Sequence, residues 1–203
     1  MTRAPGELDA FEERLGYAFR DRELLETALR HASRSHELSD APSNERLEFL
    51  GDAVVGLAVA HRLYAAHPGW GAGELTRALH ALVDERAHAR VAERLGVGSV
   101  IELGRTVRAN EPTAREVAKR RILANAFEAV VGAIYLDGGL PPVLALVDAC
   151  FADAFAAGAE PPPRDPKTAL QEEAMARFGE LPGYALVADS GVEGDDARFA
   201  VEA

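Results

Sequence analysis

The chain has 203 residues, 48% hydrophobic and 27% charged, a globular and not a disordered composition with room for one full domain and a small second one. One cysteine, Cys150, excludes a disulfide framework or a zinc–thiolate cluster and makes a reducing compartment the simplest setting; no signal segment or uninterrupted apolar span predicts a membrane. The net charge of −11 argues, taken alone, against a nucleic-acid partner, because phosphate binding rests on Lys and Arg.

Ala, Leu, Arg and Glu dominate, so most of the chain reads as helix. Helices are expected over 7–14, 21–31, 44–66, 73–95, 116–136 and 140–157. Pro68-Gly69 and Gly138-Gly139 act as stops. Gly98–Leu103 reads as loop or a helical turn. Glu160-Pro161-Pro162-Pro163 reads as a stiff linker, which divides the chain into domains over 1–158 and 166–203 around a linker at 159–165. Beyond it, Lys167–Phe178 is an amphipathic helix offering Ala169, Leu170, Ala174 and Phe178 to a core. Tyr184–Ala188 and Arg198–Val201 read as strands joined by a polar turn. The fold class is therefore all-α, followed by an incomplete α+β piece.

Charge is unevenly spread. Arg105, Arg108, Arg115, Lys119, Arg120 and Arg121 stand against Glu111 and Glu116, a basic island in an acidic chain. It reads either as a solvated helix start or as a contact for a nucleic-acid backbone. The densest chemistry lies in Asn44–Asp52, NERLEFLGD. At about 100° per residue, Glu45, Glu48 and Asp52 share an arc of about 60°, with Leu47, Leu50, Val54 and Leu57 opposite. Such a pattern commonly means a solvated acidic face. Here, however, no Lys or Arg follows any of the three acids at i+4, and Phe49 shares their exposed side.

The second signal is Ile122–Leu136, ILANAFEAVVGAIYL, where Glu128 is the only charge and Asn125 precedes it by one turn. A helix apolar nearly all round is buried, and a buried carboxylate needs a partner. One partner would be Arg120 or Arg121. The other reading brings Glu48, Asp52, Asn125 and Glu128 together as oxygen ligands, which suit Mg²⁺ or Mn²⁺ and not zinc.

NERLEFLGDAVV resembles the signature of ribonuclease III, a Mg²⁺-dependent endoribonuclease specific for double-stranded RNA. The resemblance extends to HAS at 31–33, AGELTRALHALV at 72–83 and ILANAFEAVVGAIYLDGG at 122–139. DPKTALQEEAMARFGELPGYALV looks like the opening of a double-stranded RNA-binding domain, of which the third strand and last helix are missing here. The resemblance implies that Glu48, Asn125 and Glu128 occupy metal-ligand positions, and Asp52 and Glu128 the catalytic ones. Glu45 would support the substrate. Phe49 would plug into the partner of a two-fold homodimer, and Gln171 would approach the RNA minor groove. It also implies cytoplasmic cleavage of both strands to 5′-phosphates, 3′-hydroxyls and short 3′ overhangs, in ribosomal-RNA precursor and other RNA processing. Among the basic residues, Arg115, Lys119 and Arg120 would meet phosphates. The chain departs from the family pattern at Asn125, commonly Asp, and at Ala72, where many members carry Glu. Asn125 motivates the alternative of a duplex-binding homologue with weak or lost cleavage.

Glu85-x-x-His88 has di-iron spacing, but the second copy is missing, so it reads as an exposed helix face. His31 is expected to play a structural role near the signature. Cys150 reads as a small buried hydrophobe.

Overall fold

The computed structural model describes residues 6–39, 41–108, 112–156, 159–161, 163, 166–191 and 199–202. At 106, 108, 112–116 and 199–202 it describes the backbone alone. The chain divides into two compact units, Met1–Pro162 and Pro163–Ala203.

In the first unit the order is α1 (Glu7–Leu15), α2 (Arg22–Ala28), α3 (Ala32–Glu37), α4 (Glu45–Ala66), α5 (Ala72–Val83), α6 (Glu85–Leu95), α7 (Val97–Val100), α8 (Arg105–Arg108), α9 (Pro112–Gly138) and α10 (Leu140–Cys150). A 3₁₀ turn, Ala152–Phe155, follows. The second unit holds α11 (Pro166–Phe178), β1 (Ala185–Asp189) and β2 (Phe199–Glu202), the strands pairing antiparallel.

The core is built around α9. Phe127, Val130, Val131 and Ile134 are fully buried there, and α2, α4, α6 and α10 pack against the helix. Glycine sets how closely α4 and α9 cross. A Cβ on Gly51 would lie 1.7 Å from the Glu128 carbonyl oxygen, and one on Gly132 would lie 2.3 Å from that of Leu47. Two backbones in contact put Glu48 of α4 close enough to Glu128 of α9 for their charges to interact.

Several expected boundaries move, each for a local reason. The helix expected over 21–31 stops at Ala28. Beyond it Leu29 accepts from the Glu102 N–H (2.7 Å) and the His31 N–H donates to the Glu102 carbonyl (3.1 Å), so this segment pairs with a distant strand-like residue. His31 instead caps α3, its Nδ1 accepting from the Ser33 N–H. The helix expected over 73–95 breaks at Asp84. That residue is extended, and its side chain accepts from the Ala87 N–H at 2.6 Å, starting α6 afresh. Gly98–Leu103 contains the end of a helical turn, α7, and then the Glu102 bridge. The helix expected to reach 157 ends at Cys150. There the chain tightens to 3₁₀, and His67 Nε2 bonds the Ala154 carbonyl at 3.0 Å.

Some faces also differ. Leu57, which helical periodicity places on the apolar side of α4, is 58% exposed; with Phe49 and Tyr64 it forms a bare apolar stripe. Cys150 is half-buried, and burial pushes its thiol up while Arg94 opposes this. Leu170 and Phe178 of α11 are exposed, and no residue of α11 is buried. One helix and two short strands enclose too little volume to form a core. By length and composition α4 could cross a membrane, but it packs on α9 and carries three carboxylates.

Candidate active site

Asn44 precedes the first turn of α4, and its carbonyl accepts from the Glu48 N–H at 2.8 Å. That turn presents Glu45 and Glu48 to a cavity of about 390 Å³, also lined by His31, Arg121 and Asn125. Glu45 is exposed at its rim, and the Ser43 hydroxyl donates to its Oε2 at 2.8 Å. Glu48 is half-buried. Burial, and then the charge of Glu128, push its carboxyl up. The hydrogen bond from the Asn125 side chain opposes this, Glu45 adds to the rise, and Arg121 works against it. Burial lowers the His31 imidazole against the pull of Glu45.

Glu48, Asn125 and Glu128 therefore come together at the α4–α9 crossing. Asp52, one turn beyond Glu48, is exposed and does not line the cavity. Among the described residues no three acid or histidine groups converge as a closed metal cluster. The donor chemistry nonetheless fits a hard divalent cation: two carboxylates that repel each other, a carboxamide oxygen, and no thiolate. A cation between Glu48 and Glu128 would relieve that repulsion.

Glu128 is not paired with Arg120 or Arg121. Its Oε1 accepts from His88 Nδ1 at 2.7 Å. His88, which the Glu85-x-x-His88 spacing places on an exposed face, is instead completely buried. The Asp84 break turns α6 so that its fourth residue points at α9 instead of outward. Reading 73–95 as one helix hid this residue; the Asp-Glu pair at 84–85, a helix-start signal, could have revealed it.

A ribonuclease-III-like family model matches residues 21–153. Ribonuclease 3 of Geobacter sulfurreducens is 42% identical over 96% of this chain and 78% of its own length. That of Azorhizobium caulinodans is 45% identical over 90% of this chain and 76% of its own. The nuclease domain of ribonuclease III from Campylobacter jejuni, described with a flexible region involved in dimer formation, superposes with a TM-score of 0.64. It is 32% identical, covering 73% of this chain and 99% of that one. The chain belongs to the ribonuclease III family.

As a ribonuclease III, the protein carries its remaining candidate residues in three places. Phe49 is 82% exposed on the apolar stripe of α4, beside a cavity of about 790 Å³ between α2 and α4 that includes Leu24, Leu50 and Leu136. On α9, Lys119 is exposed, whereas Arg120 Nε donates to Glu85 at 3.0 Å. The Arg115 side chain lies outside the described residues, as does that of Arg108. Gln171 is half-buried on α11, within the second unit. Ala72 opens α5 exposed, and the nearby Glu74 carboxylate accepts from the Gly71 N–H at 2.7 Å.

Proposed function

We propose that this ribonuclease hydrolyses both strands of double-stranded RNA, using Mg²⁺ or Mn²⁺, as a two-fold homodimer. The products would be 5′-phosphates and 3′-hydroxyls with short 3′ overhangs, in ribosomal-RNA precursor and other RNA processing. The observation that carries the reading is the juxtaposition of Glu48, Asn125 and Glu128 where α4 and α9 cross on Gly51 and Gly132.

Glu48, Asn125 and Glu128 would hold the metal. When bound, it supplies activation of water and charge neutralisation at the phosphodiester. Asp52, exposed on the same face, would orient the attacking water. Glu45, steadied by Ser43, stands where the RNA approaches. Lys119, Arg120 and Arg115 would meet phosphates and so position the duplex without reading its sequence. For Arg120 this means exchanging Glu85, an exposed pair of small worth, for a phosphate. Residues 166–203 would act as the opening part of an RNA-binding module, with Gln171 at the minor groove. Phe49 supports the homodimer: an exposed aromatic next to an apolar cavity on its own helix can fill the same cavity of a second copy under two-fold symmetry. Half-buried Cys150 fits a reducing, cytoplasmic setting.

The test is cleavage of a perfect RNA duplex at low salt with Mg²⁺, Ca²⁺ or EDTA, with both product ends mapped. Mg²⁺-dependent staggered cuts are expected. Duplex bound but uncut in Mg²⁺ would favour a binding homologue instead. Glu128→Gln should fold and dimerise yet lose cleavage; undiminished turnover in excess Mg²⁺ would remove Glu128 from the metal site.

A further inference from the structure

Outside the residues that line the cavity, one buried polar group points at the site. His88 rides on the first turn of α6, its N–H bonded to the Asp84 carbonyl at 3.0 Å, in a helix whose start is fixed by the Asp84 cap. Its ring is wholly buried and tilted against Phe127, with centroids 5.3 Å apart. Nδ1 lies 2.7 Å from Glu128 Oε1, and against an ionised carboxylate, which can only accept, this nitrogen is the donor. Nε2 is buried and has no hydrogen-bond partner among the described residues.

We propose that His88 is a positioning residue for Glu128, anchoring one carboxylate oxygen from behind so that the other faces the metal site. This rests on the reading of Glu128 as a metal ligand. Packing does not account for the imidazole. A leucine would occupy the same apolar space without leaving a ring nitrogen unsatisfied, so the histidine carries a cost that only its bond to Glu128 offsets. An unanchored Glu128 could rotate away from Glu48, which repels it; the Nδ1–H contact opposes that rotation. Ligating carboxylates held by such outer partners bind metal more tightly, because less side-chain freedom is lost on binding.

The experiment uses the full chain and Mn²⁺ alone, followed by electron paramagnetic resonance without RNA, with thermal melting recorded alongside. His88→Leu removes the donor and keeps the volume. His88→Asn returns a donor close to the Nδ1 position, whereas His88→Gln sends its amide toward the Nε2 position. His88→Leu should melt no lower than the natural protein yet bind Mn²⁺ about tenfold more weakly or worse. His88→Asn should recover most of the affinity and His88→Gln should not. The Mg²⁺ concentration for half-maximal duplex cleavage should follow the same order. Unchanged Mn²⁺ affinity in His88→Leu overturns the proposal, as does equal weakening by Asn and Gln. Should His88→Leu fail to fold, the Asn–Gln comparison decides. If Glu128→Gln leaves Mn²⁺ affinity unchanged, it is the metal reading of Glu128 that fails, and the anchor falls with it.

Discussion

Asn125 shows how one residue sets the charge of the site. Its amide donates to Glu48, while the rise of the Glu48 carboxyl comes from burial and from Glu128. Asn125→Asp would exchange that donor for a third carboxylate. Repulsion in the metal-free protein should grow and Mg²⁺ affinity with it, so the Mg²⁺ concentration for half-maximal cleavage should fall. A rise would mean that the carboxamide is tuned to this site. Asp137, at the other end of α9, is an acid with a different task. Burial pushes its carboxyl up, but the Tyr17 hydroxyl, the N–H groups of Arg20 and Asp21 and the Arg20 charge outweigh this and bring it to about 2 from 3.8. Its ionised form is thus favoured by folding. That contribution is complete above the unfolded value and disappears as pH falls through the folded one. In denaturant melts Asp137→Asn should cost about 2 kcal/mol near neutrality, and the gap should close between about pH 4 and pH 2. A gap that persists at the acid end would assign the loss to shape and not to charge.

At the scale of elements, two glycines decide where the carboxylates stand. Helix interiors disfavour glycine by roughly 1 kcal/mol relative to alanine, so Gly51 and Gly132 cost α4 and α9 some intrinsic stability. In return the backbones touch. Gly51→Ala would place a methyl on the Glu128 carbonyl oxygen, a backbone atom that no rotamer change can move. A loss of about 3 kcal/mol is expected, together with weaker metal binding as Glu48 and Glu128 are pried apart. Full stability in this variant, measured by urea melts, would show that the helices can slide at the crossing. The Asp84 break also sets how two helices meet. A continuous helix from Ala72 to Leu95 would carry the same residues, but only the restart aims His88 at Glu128.

In the whole molecule, the first unit leaves Phe49, Leu57 and Tyr64 of α4 exposed as an apolar stripe. Phe49→Ala should leave the melting of a dilute, dissociated sample unchanged and weaken self-association by about 2 kcal/mol or more, near 30-fold. An unaltered dimer constant in sedimentation would place Phe49 outside the interface. The two units also differ in kind. The first buries a continuous core around α9, while α11 buries none of its residues and β1 is exposed along its length.

The acidic arc of Glu45, Glu48 and Asp52, the lone charge Glu128 and the apolar α9 were legible in the residues themselves. Helical periodicity is a local property, and an unneutralised carboxylate in an apolar stretch needs an explanation wherever the chain goes. The helix-rich composition was legible for the same reason. Three things were not. Asp52 stays exposed while Glu48 turns inward, Leu57 leaves the core side, and His88 is buried against Glu128. Each depends on which neighbour covers which face. That depends on how closely α4, α6 and α9 approach, a distance set by Gly51, Gly132 and the Asp84 cap. Local pattern reports which residues can share a face of one helix. Only packing decides what lies opposite that face, because contacts between helices remote in sequence carry no periodic signal.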